Sequence, residues 1–211
     1  MLALEGGDWG GVISALGRRL PPFRAILVCS AHWEAATPLR LSSAEVPGIM
    51  HDFGGFPEPL FALDYPAPGS PALAAEAAGL LRAAGLEAVL DPSRPLDHGA
   101  WVPLRYLVPG ADIPVVQLSL PRPRTPAFLL AVGRALAPLR ERGVLVVGSG
   151  GIVHNLQGLD GDETSEPRPW ADGFERWIRE RVLVRDEAAL MNWRQAPGAA
   201  ESVPTDRKSV V

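Results

Sequence analysis

Short apolar runs of strand length alternate with longer alanine- and leucine-rich stretches along most of the chain, and that alternation excludes most folds. Residues 23–30 are apolar, too short for an independent helix, and bounded by Pro21-Pro22 and a polar turn, so they read as a buried strand. Residues 37–42, 86–90, 114–120 and 144–147 read as further strands. Helices are predicted over 9–20, 71–84, 100–107, 125–142, 170–182 and 186–193. The helix at 71 has Ser70 as its N-cap, Pro71 in its first turn and Gly85 to end it, while Gly143 stops the helix from 125. Strands alternating with helices predict an α/β domain. The pattern leaves open whether the sheet is wholly parallel.

The composition agrees with a soluble globular chain. Of 211 residues, 47% are hydrophobic and 21% charged, which suits one domain with a real core or two very small ones. A net charge of −4 argues against nucleic acid or an anionic membrane as the main partner. No run approaches the roughly 20 apolar residues needed to span a bilayer. The start, MLALEGGDW, carries Glu5 and Asp8 and no basic region, unlike a signal peptide, so a cytoplasmic chain is expected. The single cysteine, Cys29, excludes an internal disulfide framework and fits a reducing compartment; within an apolar strand it reads as core. Residues 43–70 combine little periodicity with many glycines, prolines and aromatics, which predicts a long structured loop. Loops of that length usually serve a function.

The four histidines are the most informative residues. His32 follows the first strand in SAHWE, His51 opens HDFGGFP, His98 lies in LDHGAW, and His154 in GSGGIVHN after the strand that ends near Val147. A single loop histidine is more often hydrogen-bonded or exposed than a ligand. All four in such contexts point to a site, because imidazole suits both metal ligation and proton transfer near neutral pH. His32 and His154 stand at the carboxyl ends of strands, where open α/β sheets bind ligands. Asp97, beside His98, has two readings of equal weight: it orients an imidazole or caps a turn. Gly148–Gly151 reads as a tight turn allowing close backbone approach, since it lacks the lysine of a phosphate loop, and Ser149 is not in a G-x-S-x-G elbow. Arg18, Arg19, Arg122 and Arg124 read as solvated surface, and Trp170, Trp177 and Trp193 as packing residues.

Taken in order, SAHWE, HDFGGFP, YPAPGSP, LDHGAW, ADIPVVQLSL and GSGGIVHN resemble the DOPA-dioxygenase type of extradiol aromatic ring-opening dioxygenase. This class III group is related to protocatechuate 4,5-dioxygenase and its beta subunit. The likeness runs over residues 1–198. It implies a single α/β domain with a central, mostly β sheet flanked by helices. The cofactor implied is one non-haem Fe(II) or zinc ion per chain. The partners implied are a small aromatic diol and O2, with the chain a monomer or homodimer. By the same resemblance His32 is a metal ligand, and His154 is either a metal ligand or the active-site base. His98 is implied to contact substrate or oxygen beside the metal, and His51 and Tyr65 to wall the substrate pocket. In such a site the metal lowers the pKa of a catechol hydroxyl and a neutral imidazole takes the proton. Zinc, which has no redox chemistry, would leave oxygen unactivated.

Two departures accompany the match. The family's opening strand leads into His-Gly-Ser-Pro, whereas this chain starts at MLALE; the family's Pro-Thr-x-Glu-His segment is here VPTDRKSVV. Both ends are therefore expected to be damaged, with a catalytic domain over 1–200 and a non-native or disordered tail over 201–211. The tail DRKSVV reads as a translated sequencing adapter and holds Lys208, the only lysine among 20 basic residues. The chain as written is then expected to bind iron poorly and to be inactive. The alternatives are a non-catalytic binding protein on the same fold and a metal-dependent hydrolase. The joint presence of His32, His98 and His154 argues for the oxygenase.

Overall fold

The computed structural model describes residues 7–122, 124–155, 158 and 166–204. Residues 1–6 and, of the expected tail over 201–211, residues 205–211 with Lys208 fall outside them; residues 201 and 202 end a short helix. The chain divides into two compact units, with the boundary between Gly150 and Gly151.

The first unit is built on five strands: β1 (Ala25–Ala35), β2 (Leu39–Ser42), β3 (Ala88–Asp91), β4 (Val115–Pro121) and β5 (Val144–Ser149), in the order β3-β2-β4-β1-β5. β1 runs parallel to β4 and β5, and β2 parallel to β3. β2 meets β4 antiparallel, so the sheet is mixed. The α/β class read from the sequence is the class observed.

β1 explains why the apolar runs are continuous rather than alternating. Ala25 and Leu27 join one buried cluster, with Leu73, Leu81 and Leu139, while Ile26 and Val28 join another, with Trp101 and Leu104. Both faces of the strand are covered over Ala25–Val28, so these four successive positions are all apolar. Helices α1 (Gly7–Arg19), α2 (Pro71–Ala83), α3 (His98–Leu107), α4 (Pro126–Leu136) and α5 (Pro138–Glu141) complete the unit.

The ends of α2 are as read: Ser70 accepts from the Leu73 N–H, and Gly85 takes a φ of +77° after the helix. Thr125, read as helical, is instead the N-cap of α4 and accepts from the Phe128 N–H. Several boundaries differ from those predicted. The helix predicted over 125–142 is two helices: Ala137 keeps helical φ and ψ, but Pro138 has no N–H to donate to the preceding turn and its ring crowds the carbonyl four residues back. β1 runs on to Ala35, through an irregularity in its pairing with β4 between Cys29 and Glu34. α3 starts two residues early, at His98.

The second unit contains α6 (Pro169–Leu183), α7 (Glu187–Met191) and α8 (Ala199–Ser202). Phe174, Ala196 and Ala199 form its core, with Val153, Trp177, Ile178, Trp193 and Val203 packed against them. The packing reading of Trp177 and Trp193 is what the structure has.

Candidate active site

The interruption in β1 creates the site's first element. His32 lies within it, its N–H donating to the buried Ser30 Oγ at 3.1 Å. Such irregularities re-aim side chains out of a regular sheet. His32 therefore sits inside an irregular strand rather than after one.

His98 comes from the start of α3. Its ring lies against that of His32, with centroids 3.9 Å apart and planes tilted by 51°. Gly99 makes this approach possible, since a Cβ there would stand 2.9 Å from His32 Cδ2 and closer still to Ser30 Oγ. Gly150 does the same on the other side, where an added Cβ would lie 3.2 Å from Ala31 Cβ. The close-approach reading of the Gly148–Gly151 turn has its physical reason there.

Asp52 supplies the third group. Its Oδ1 accepts the backbone N–H of His98 at 2.9 Å and lies 2.9 Å from His98 Nδ1. Burial works to raise the Asp52 pKa, but the hydrogen bonds and charge of His98 outweigh it and hold the carboxyl below its ordinary value. His32, Asp52 and His98 each offer a ligand atom, all within 4.8 Å of one another. Two imidazoles and a carboxylate are the donor chemistry that first-row divalent ions accept, so the residues fit a non-haem metal.

Asp97 takes the capping role of its two readings. It is fully buried, accepts from the Ala100 N–H at 3.1 Å, and pairs with Arg94 at 3.0 Å and with the Gln117 side chain. Arg94 lies over the Trp33 ring at 4.8 Å. The network thus ties the residue after His32 to the residue before His98.

The 43–70 loop walls this region with aromatic rings and is structured, as read. Phe53 meets His98 edge to face at 5.6 Å, and Phe56 and Phe61 pack on Phe53 with exposed outer faces. His51 bonds the Leu63 carbonyl at 3.0 Å through a ring nitrogen and packs against Phe53 and Trp101. Tyr65 is 2% exposed and donates its hydroxyl to the Val108 carbonyl at 3.0 Å; burial and then Asp112 push its pKa up to about 12. In the second unit, His154 is exposed and its N–H donates to the Ser202 carbonyl at 2.8 Å.

Three smaller readings are settled locally. Cys29 is partly buried, bonds the Leu118 carbonyl, and has its thiol pKa pushed to about 11, first by burial; it packs against the core as expected. Arg18 and Arg19 are exposed. Arg122 is exposed, as read, while Arg124 is partly buried; both pair with Glu34, two residues beyond His32. Sequence reasoning passed over Asp52, Gly99 and Ser30. The only signal for Asp52 was its place in the HDF motif beside His51.

Residues 15–202 match the family described as the catalytic LigB subunit of aromatic ring-opening dioxygenase, and the chain belongs to that family. Its members are oxidoreductases. Among relatives, the chain is similar to a 4,5-DOPA dioxygenase extradiol of Escherichia coli K12, with 40% identity over 90% of this chain and 70% of that one. A 4,5-DOPA dioxygenase extradiol of Portulaca grandiflora is 43% identical over 76% of this chain and 59% of its own length. A solved structure of an uncharacterized Escherichia coli K12 protein superposes with a TM-score of 0.77 and 35% identity, covering 93% of this chain and 76% of that one. Among the described residues, no helix is long and apolar enough to cross a membrane.

Proposed function

We propose that this chain carries the site of an extradiol dioxygenase that opens a catechol-type ring, inserting both atoms of O2 beside the hydroxyls. The observation that carries the reading is the close, tilted His32–His98 pair with Asp52 at His98 Nδ1, set beside an aromatic loop. The names of the relatives support a DOPA-like diol as substrate.

His32 would hold the metal. When bound, iron(II) supplies the Lewis acidity that lowers the pKa of a catechol hydroxyl and the redox chemistry that O2 requires. His98 takes the hydroxyl proton at Nε2, the ring atom opposite the one at Asp52. Phe53 and the exposed faces of Phe56 and Phe61 receive the apolar ring and exclude water from it. His51 and Tyr65 hold the loop that carries these rings. The role of His154, as metal ligand or base, is proposed from its motif alone.

The test is oxygen uptake by the gene product that carries this chain, reconstituted with Fe(II) and offered DOPA, protocatechuate and simpler catechols. One O2 consumed per ring opened, with a yellow product, is the expected result. The zinc-loaded protein should bind a catechol yet consume no oxygen, because zinc has no accessible redox state. Hydrolysis of an ester or amide without oxygen uptake would overturn the reading.

A further inference from the structure

We infer that Asp52 is a positioning residue that fixes the His98 imidazole in one orientation and one tautomer, leaving Nε2 bare toward the substrate. The use of Nε2 in catalysis rests on the dioxygenase reading; the effect of Asp52 on the ring does not. Asp52 Oδ1 accepts the backbone N–H of His98, a group that can only donate, and the same oxygen stands 2.9 Å from His98 Nδ1. An oxygen in that role meets Nδ1 favourably only if Nδ1 carries the hydrogen. A neutral ring bearing its proton on Nδ1 has a lone pair on Nε2.

The two bonds also lock the geometry. The backbone bond ties Asp52 to the first residue of α3, and the ring bond then sets the imidazole plane against that anchor. His32 on one side and Phe53 at the edge limit rotation further. Asp97 cannot do this work, because its oxygens are taken by Arg94, Gln117 and the Ala100 N–H. The three ligand atoms within 4.8 Å admit a competing role for Asp52 as a direct metal ligand, and the experiment separates the two.

The metal-free full chain is labelled with 15N-histidine and read by two-bond nitrogen–proton correlation above pH 8, His98 being assigned by its loss in His98→Gln. Wild type should carry the proton on Nδ1, and Asp52→Ala should revert to the Nε2–H form that free imidazole prefers. Zinc affinity of Asp52→Ala should stay close to wild type. In the iron-loaded gene product kcat should fall about 10–100-fold with KM nearly unchanged. A wild-type ring protonated on Nε2 overturns the inference, and that measurement does not depend on the variant folding. An unchanged tautomer in Asp52→Ala, or a zinc affinity that collapses with the carboxylate, overturns it too. Absence of turnover with the expected tautomers would instead remove the dioxygenase reading and leave the effect of Asp52 on the ring in place.

Discussion

Gly99 decides how closely His32 and His98 can stand. Its φ is ordinary; what matters is the space its missing side chain leaves for Ser30 Oγ and the His32 ring. Gly99→Ala should push α3 away from β1, lowering stability by about 1–3 kcal/mol in urea unfolding. The nuclear Overhauser contacts between the two imidazoles should weaken in the same variant. The sequence shows a glycine after a histidine and nothing more, because the atom it must avoid belongs to a residue 69 positions away. Asp52 was hidden for the same reason. Its adjacency to His51 was visible, but its partner is 46 residues on.

Asp97 shows how one helix end places a functional group. Because its side chain caps α3, the helix begins at His98 and aims that residue out of the first turn. Asp97→Ala should cost about 3–5 kcal/mol in chemical denaturation, since it leaves Arg94 largely buried without its carboxyl partner. Asp97→Asn, which keeps the cap, should cost less. The helix cap was legible where Ser70 stood before Pro71, because capping is a local event. The early start of α3 was not legible. Asp97 had two local readings, and only Gln117 and Arg94, brought in by other elements, select between them. The extension of β1 through His32 escaped notice because pairing with β4 carries the strand past its apolar run.

Several carboxylates across the first unit are held below their ordinary pKa. Burial opposes the shift at Glu34, Asp52 and Asp91, but Arg124 with Arg122, His98, and Ser93 with Arg40 respectively outweigh it. At Glu76 the hydrogen bond from Arg142 leads. A lowered folded-state pKa contributes stability that is fully present above the unfolded value, near pH 4, and is lost as pH falls through the folded value. The denaturation midpoint should therefore be flat from pH 7 to about 5 and fall steeply below about 4. A midpoint that rises on acidification would contradict these assignments. The class of fold and the positions of strands and helices were written in the order of the residues, since apolar period, caps and breakers act over a few positions. The histidines were legible as chemistry, and the six motifs as kinship, for the same local reason. Which groups meet was decided by the tertiary structure. β1 is covered on both faces and lies between β4 and β5, α3 packs on one of those faces, and the 43–70 loop brings Asp52 to His98. Those are contacts between residues far apart in the chain, and no short stretch of sequence contains both partners.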